Sequence, residues 1–336
     1  MKKDSFKLGR RDFVKAGVLS AGVCMIGPGR ALSGESVSQS SIATLTTREP
    51  DRLKMLALTD LHFFEGKARE QKDEHTLEDL RAMIKIFNPE LVLICGDIWY
   101  EDNFGKGFKR CQWSCDRLGE LGVPWAFVWG NHDTSEDHKK CHRIISGAAN
   151  SLYRGALYDG NYRVEIAGPG KSEPFWELII INDAMPESGF QKDQVKWFKA
   201  EVERIHQKYP SSPPAFVFFH VPLVQMRTLV GRGLARGVKY EPVNFEKGIP
   251  EAFDALKNSG IVKAVFCGHD HYNNYGGELD GVYLQYLRAT GYAGYGGDKV
   301  KKGGTLISID AANESKPFEV VTVFADGSTW ELKDPL

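Results

Sequence analysis

The chain reads as an α/β protein of four layers, an αββα sandwich in which two mixed sheets face each other with helices outside. Three observations predict this. Apolar runs of strand length alternate with stretches of helical period through the first half, the pattern of parallel strands joined by helices. The second half adds strands faster than helices, enough for a second sheet. The 336 residues are 42% hydrophobic and 26% charged, a globular composition long enough for one large domain.

From the N-terminus, the elements follow in order. Residues 34–52, opening "GESVSQSSIATLTTREP", are Ser/Thr-rich and read as a linker, with structure beginning near Leu53. "LKMLALTD", "LVLICGD" and "PWAFVWGNHD" are buried-strand candidates. They are separated by the helical stretches "TLEDLRAMIKIF" and "FKRCQWSCDRLGELG". "YRVEIA" and "FWELIIIND" read as a hairpin-linked pair. The helix "KDQVKWFKAEVERIHQKY", the strand "AFVFFH" and a long loop from Val221 come next, then a helix near "IPEAFDALKNSG" and the strand "VKAVFCGHDH". Three short strands, "GVYLQYLRA", "GTLISID" and "FEVVTVFA", complete the chain.

Residues 1–33 have another character. A basic start with Arg10-Arg11, Phe13 and Lys15, a modest apolar run from Ala16 to Ile26, and small residues around Ala31 to Ser33 form the order of a twin-arginine signal peptide. The reading implies handling by the twin-arginine export machinery, cleavage near Ser33 and a periplasmic or extracellular destination. Removing this segment's +5 takes the net charge from −1 to −6. An acidic chain of that kind lacks the basic footprint of a nucleic-acid scaffold binder. No stretch approaches the roughly 18 apolar residues of a membrane span.

Chemistry collects at the ends of the strand candidates. Asp60-Leu61-His62, Gly96-Asp97, Gly130-Asn131-His132-Asp133, His220 and Gly268-His269-Asp270-His271 each close an apolar run, and they hold five of the nine histidines. Strand ends are where α/β folds gather ligands. In extended "DLH" and "HDH" segments, positions i and i+2 share a side and can aim at one centre. The preceding glycines let the backbone approach an ion closely. Imidazole, carboxylate and amide oxygen together suit Mn, Fe, Zn or a similar divalent ion. Cys95 and Cys267 read as buried small hydrophobes, while Cys111, Cys115 and Cys141 leave one disulfide open.

In this order the segments resemble the calcineurin-like metallophosphoesterase family over roughly residues 53–297, which makes 53–336 the enzyme domain. The resemblance implies two divalent metal ions, one held by Asp60, His62, Asp97 and His271 and the other by Asp97, Asn131, His220 and His269, with Asp97 shared. Two such ions bind phosphoryl oxygens, lower the pKa of a shared water and steady an in-line displacement. His132 is then implied as general acid, with Asp133 orienting it. "FFHVPL", "GHDHYNNYGG" and "YLRATGYAGYGG" further resemble a purple acid phosphatase-like branch that keeps the first-motif histidine. That implies a phosphomonoesterase with an aromatic rim of Trp99, Tyr100, Arg288 and Tyr292. A phosphodiesterase, nucleotide diesters included, is the alternative on the same metals, and a non-catalytic binding protein on this scaffold is the third reading. With His62 in place, Tyr100 is expected to stand beside the metals rather than ligate one. His75, His138, His142 and His206 are expected at the surface.

Overall fold

The computed structural model describes residues 41–65, 70–100, 106–155, 159–185, 188–297 and 299–336. The leader expected over 1–33 and the first part of the linker lie outside them.

The rest of that linker is a strand. Ile42–Thr46 forms β1 and pairs in parallel with β5, Tyr162–Ala167, from Ile42↔Arg163 to Thr46↔Ala167. Its Ser/Thr content hid a period of two: Ala43 and Leu45 are buried and Thr44 and Thr46 exposed. Arg52–Leu58 (β2), Leu91–Cys95 (β3) and Trp125–Val128 (β4) run parallel to one another. Antiparallel β12, Gly304–Asp310, pairs with β2, and β13, Phe318–Val323, and β14, Thr329–Trp330, extend that sheet to six strands.

The other sheet has eight strands, in the order β1-β5-β6-β7-β9-β11-β10-β8. β6 is Pro174–Ile180, β7 Ala215–Phe218, β8 Arg236–Lys239, β9 Val262–Cys267, β10 Asn273–Leu279 and β11 Val282–Tyr286. β6, β7, β9 and β11 are parallel neighbours. β8 and β10 were not expected. β8 falls within the segment taken for loop after Val221, as does the short helix α5, Gln225–Gly231. β10 reads "NNYGGEL", with two asparagines and two glycines that depress strand propensity. Its antiparallel partners on both sides, β8 and β11, override that local preference.

Alternation along the strands divides the core. Phe216 and Phe218 of β7, with Trp176, Leu178 and Ile180 on β6, join the cluster that contains β2, β3 and β4. Ala215, Val217 and Phe219, with Ile179 and Ile181, belong to a second cluster. That cluster includes Phe198, Val202 and Ile205 of α4 (Lys192–Lys208) and Phe253 and Leu256 of α6 (Glu251–Lys257). One face of the eight-stranded sheet thus packs against its partner sheet and the other against helices. Helices α1 (Glu70–Phe87), α2 (Gly107–Gly119) and α3 (His138–Gly147) pack on the six-stranded sheet through Leu77, Leu80, Met83, Cys111, Leu118 and Ile145.

All five described cysteines are buried free thiols. His142 is buried too, against the surface expectation. Its Nδ1 lies 2.6 Å from the Tyr153 hydroxyl, and burial drives its pKa down to about 4. Among the described residues, no helix is long and apolar enough to cross a membrane.

Candidate metal centre

The C-terminal ends of β2, β3 and β4 in one sheet and of β7 and β9 in the other deliver the five segments to one place. Backbone pairing continues past the strands, with Asp60 N donating to Gly96 O (3.1 Å), His62 N to Asp97 O (2.9 Å) and Gly268 N to His220 O (3.0 Å). The "DLH" and "HDH" segments are not extended as expected. Asp60, His62, Asp97 and His269 have φ of 56°, 50°, 56° and 79°, left-handed conformations that cost a residue with a side chain about 1–2 kcal/mol each. The twist sends the two "HDH" histidines to different partners. His271 Nε2 sits 3.2 Å from Asp60 Oδ1 and 3.1 Å from His62 Nε2, whereas His269 Nδ1 sits 2.9 Å from Asn131 Oδ1.

Asp97 stands between the two sets, its Oδ2 3.6 Å from His62 Nε2 and 3.2 Å from His220 Nε2. Asp60, His62 and His271 form one buried cluster with metal-ligand spacing, and Asp60, Asp97 and His220 form another. Asp60 Oδ1 and His220 Nε2 are buried and face other members of the cluster, His271, His62 and Asp97, as groups that share a cation would. The donor set of nitrogen and oxygen atoms fits two divalent ions. The nearby thiols take no part: Cys95 Sγ donates to Phe219 O at 3.0 Å, and burial pushes its pKa well up.

Electrostatics point the same way. Burial pushes Asp60 up, but His271, His220 and His62 outweigh it and hold the carboxyl well below its usual range. Asp97 is lowered against burial by His220 and His62. Burial takes His62 down to about 3, and burial with His220 takes His269 down to about 4. His220 is the exception. Burial opposes its charge, yet Asp97 and Asp60 raise it to about 10. The paired carboxylates thus favour positive charge at this point, which a bound cation would supply.

The glycines also keep space for side chains of the site. A Cβ on Gly96 would lie 2.2 Å from His220 Nδ1, one on Gly130 2.1 Å from Asp97 Oδ1, and one on Gly268 1.9 Å from Thr59 Oγ1. They make room for neighbouring ligand side chains and the hydroxyl beside Asp60. The His220 ring is held by Nδ1 against Cys95 O at 2.8 Å, and its backbone N–H donates to Asp183 Oδ1 at 2.9 Å. Asp183 is a site residue outside the five segments, and "IIIND" closes an apolar run as they do.

Asp133 does not orient His132. Its Oδ2 accepts from Asp97 N (2.8 Å) and Gly130 N (2.7 Å), and its Oδ1 from Trp99 N (3.1 Å). The His132 ring is instead stacked on Tyr100, with centroids 4.6 Å apart at 25°, and Tyr100 stacks in turn on Phe64 at 5.1 Å. His132 and Tyr100 line a cavity of about 660 Å³ together with five of the ligand candidates, Asp60 and His220 lying beneath it, and with Phe64, Asn244, Glu246 and Tyr295.

The other expected rim residues lie elsewhere. Trp99 is fully buried, its Nε1 donating to Thr134 O at 3.0 Å and its ring edge-on to Trp129. Arg288 is buried over Phe324 and Trp330, where burial pulls its pKa down to about 10. Tyr292 donates to Asp79 Oδ2 at 2.7 Å and stacks on His75. The "GYAGYGG" stretch reaches the site instead through Tyr295, whose ring lies 4.0 Å from that of His271 and whose carbonyl accepts from His271 Nδ1 at 2.9 Å.

Known proteins resemble this chain in fold and in sequence. A dimetal phosphatase from Danio rerio has a similar fold, with a TM-score of 0.52 at 14% identity over 86% of this chain and 98% of that one. The chain is 28% identical to the probable inactive purple acid phosphatase 14 of Arabidopsis thaliana, over 85% of this chain and 82% of that protein. It is 26% identical to the phosphatase DCR2 of Saccharomyces cerevisiae, over 69% of this chain and 46% of that protein. Residues 53–273, which hold every ligand candidate, match the family model described as calcineurin-like phosphoesterase. Since that match covers well over half of the sequence, the chain belongs to the calcineurin-like phosphoesterase family.

Proposed function

We propose that this chain is a dinuclear-metal phosphoric ester hydrolase acting on phosphomonoesters, with His132 as general acid. The observation that carries the reading is the convergence of the ligand residues around a shared Asp97 beneath an open cavity, with His132 on its wall. Asp60, His62, Asp97 and His271 would hold one divalent ion and Asp97, Asn131, His220 and His269 the other. Such a pair supplies Lewis acidity and an activated water when bound. The chain's own residues supply the rest. The cavity walls seat the ester, Tyr100 keeps the His132 ring flat against it, and the ring's proton goes to the departing alcohol oxygen.

The name of the Arabidopsis relative favours a non-catalytic binding role as a second reading. Against it stands the complete ligand set. A panel of phosphomonoesters and diesters, offered to protein reconstituted with Mn, Fe or Zn, tests the proposal. Monoester turnover is expected to exceed diester turnover; diester preference would make it a phosphodiesterase, and no turnover with any metal would refute catalysis. His132→Ala should slow alkyl phosphates far more than aryl phosphates with good leaving groups, since an acid matters most when the departing oxygen is basic. Equal losses would contradict the role. Export by the twin-arginine route is proposed on residues 1–33 alone. Arg10→Lys with Arg11→Lys should retain full-length protein in the cytoplasm, and unchanged export would refute it.

A further inference from the structure

Tyr295 meets His271 with three different groups. Its ring lies flat on the imidazole, with centroids 4.0 Å apart at 8°. Its hydroxyl oxygen accepts from His271 N at 3.2 Å and donates to Glu241 Oε2 at 3.1 Å. Its carbonyl accepts from His271 Nδ1 at 2.9 Å. The same carbonyl accepts from Lys302 Nζ at 2.8 Å, and Lys302 is only 3% exposed. A carbonyl oxygen has two lone pairs, one here for the ring N–H and one for the ammonium. The flanking glycines fit the same ring. A Cβ on Gly294 would lie 2.7 Å from His271 Cε1 and 2.8 Å from His62 Cδ2, and one on Gly296, at φ of 100°, 3.1 Å from His271 Cβ.

A carbonyl can only accept, so Nδ1 of His271 carries the proton and Nε2 keeps the lone pair that faces Asp60 Oδ1 at 3.2 Å. His62, the other imidazole of this ligand set, has no such guide, its Nδ1 being buried without a hydrogen-bond partner among the described residues. We propose that Tyr295, pinned at its carbonyl by Lys302, is the positioning residue for the ion of Asp60, His62, Asp97 and His271. It fixes the tautomer and direction of His271 and so sets how tightly that ion is held, both residues acting through the histidine. The inference rests on the two-ion reading of the centre and not on catalysis.

The test follows ion release from protein loaded with Mn or Zn, by metal analysis after dialysis against graded chelator. Tyr295→Ala keeps the carbonyl and removes the ring and hydroxyl of a half-exposed side chain. Lys302→Met keeps the bulk of the side chain and removes its bond to the carbonyl. Each variant should give up one of its two ions at a chelator concentration about tenfold lower than the parent chain does, the scale on which a metal site loses affinity with an orienting partner, while the other ion stays. Tyr295→Phe, which keeps ring and carbonyl, should fall between. With Asn131→Ala added to weaken the other ion, either variant should release both, which places the first loss at His271. Added metal should restore turnover of p-nitrophenyl phosphate with KM for the ester unmoved, a rescue that damage to the fold would not allow. Unchanged ion affinity in Tyr295→Ala, joint loss of both ions in either variant alone, retention of one ion in the combined variant, or tighter binding in Lys302→Met would overturn the inference. Parent protein that takes up no ion would overturn the two-ion reading itself, whereas uptake of both ions without turnover would overturn only the hydrolase reading.

Discussion

Gly96→Ala is the sharpest test of how the fold sets the metal centre. Gly96 has φ of 87°, and its new methyl would lie 2.2 Å from His220 Nδ1 and 2.4 Å from Cγ. The ring cannot retreat cheaply, being wholly buried with Nδ1 bonded to Cys95 O and its backbone N–H to Asp183. Left-handed strain for alanine costs about 1 kcal/mol, and overpacking a filled site about 1–3 kcal/mol more. Gly122 supplies the control, because its φ is 71° and nothing lies within 4 Å of its Cβ position. Denaturant melts should therefore show a loss of about 1 kcal/mol for Gly122→Ala and about 2–4 kcal/mol for Gly96→Ala. Metal analysis should find Gly96→Ala short of one ion and Gly122→Ala fully loaded. A Gly96→Ala protein that keeps both ions and is no less stable than the control would refute the reasoning.

Four further variants test the site and one buried ion-pair group. Asp97→Ala should lose both ions and all turnover, since it removes a carboxylate placed between the two ligand sets; metal analysis showing full loading would disprove the sharing. Tyr100→Phe should keep the stack on His132, both metals and most activity, with colourless protein and a neutral to alkaline optimum. Tyr100→Ala should cost several-fold to about tenfold in kcat, the scale of one aromatic pair. A visible absorption band that vanishes in Tyr100→Phe, with an acidic optimum, would make Tyr100 a ligand. Far from the site, burial pushes Glu177 up to about 7 although Arg163 Nη1 lies 2.8 Å away and opposes the rise, with Glu165 adding to it. Between the unfolded pKa of 4.5 and about 7 the folded chain holds the extra proton, so stability is highest in mild acid and falls as pH rises through that window, by about 3 kcal/mol at most. Melting temperatures from pH 5 to 8 should flatten in Glu177→Gln; an unchanged slope would exclude Glu177 as the cause.

The ligand residues were legible because each ends an apolar run, and a carboxylate or imidazole there cannot be mistaken for core. What stood between them was not. Asp133 follows His132 in sequence, and adjacency suggested a pair, but the turn after β4 directs the carboxylate at the backbone of the β3 loop. Arg288 and Tyr292 follow β11 in a stretch rich in glycine and tyrosine, and only tertiary packing decides that Tyr295 faces the cavity while they do not. β10 was hidden because its asparagines and glycines are poor strand formers, and β1 because a five-residue alternation is weak inside a polar stretch.

The three amides gathered by Asp133 bear on how mutants of this protein would be interpreted. Its carboxylate is the common acceptor for the loops that carry Asp97 and Asn131, so its loss would loosen both halves of the centre at once. An activity screen alone would score Asp133 beside His132, as though the two formed a catalytic dyad. Leaving-group dependence tells them apart. A vanished proton donor steepens it, whereas a collapsed scaffold lowers every rate alike.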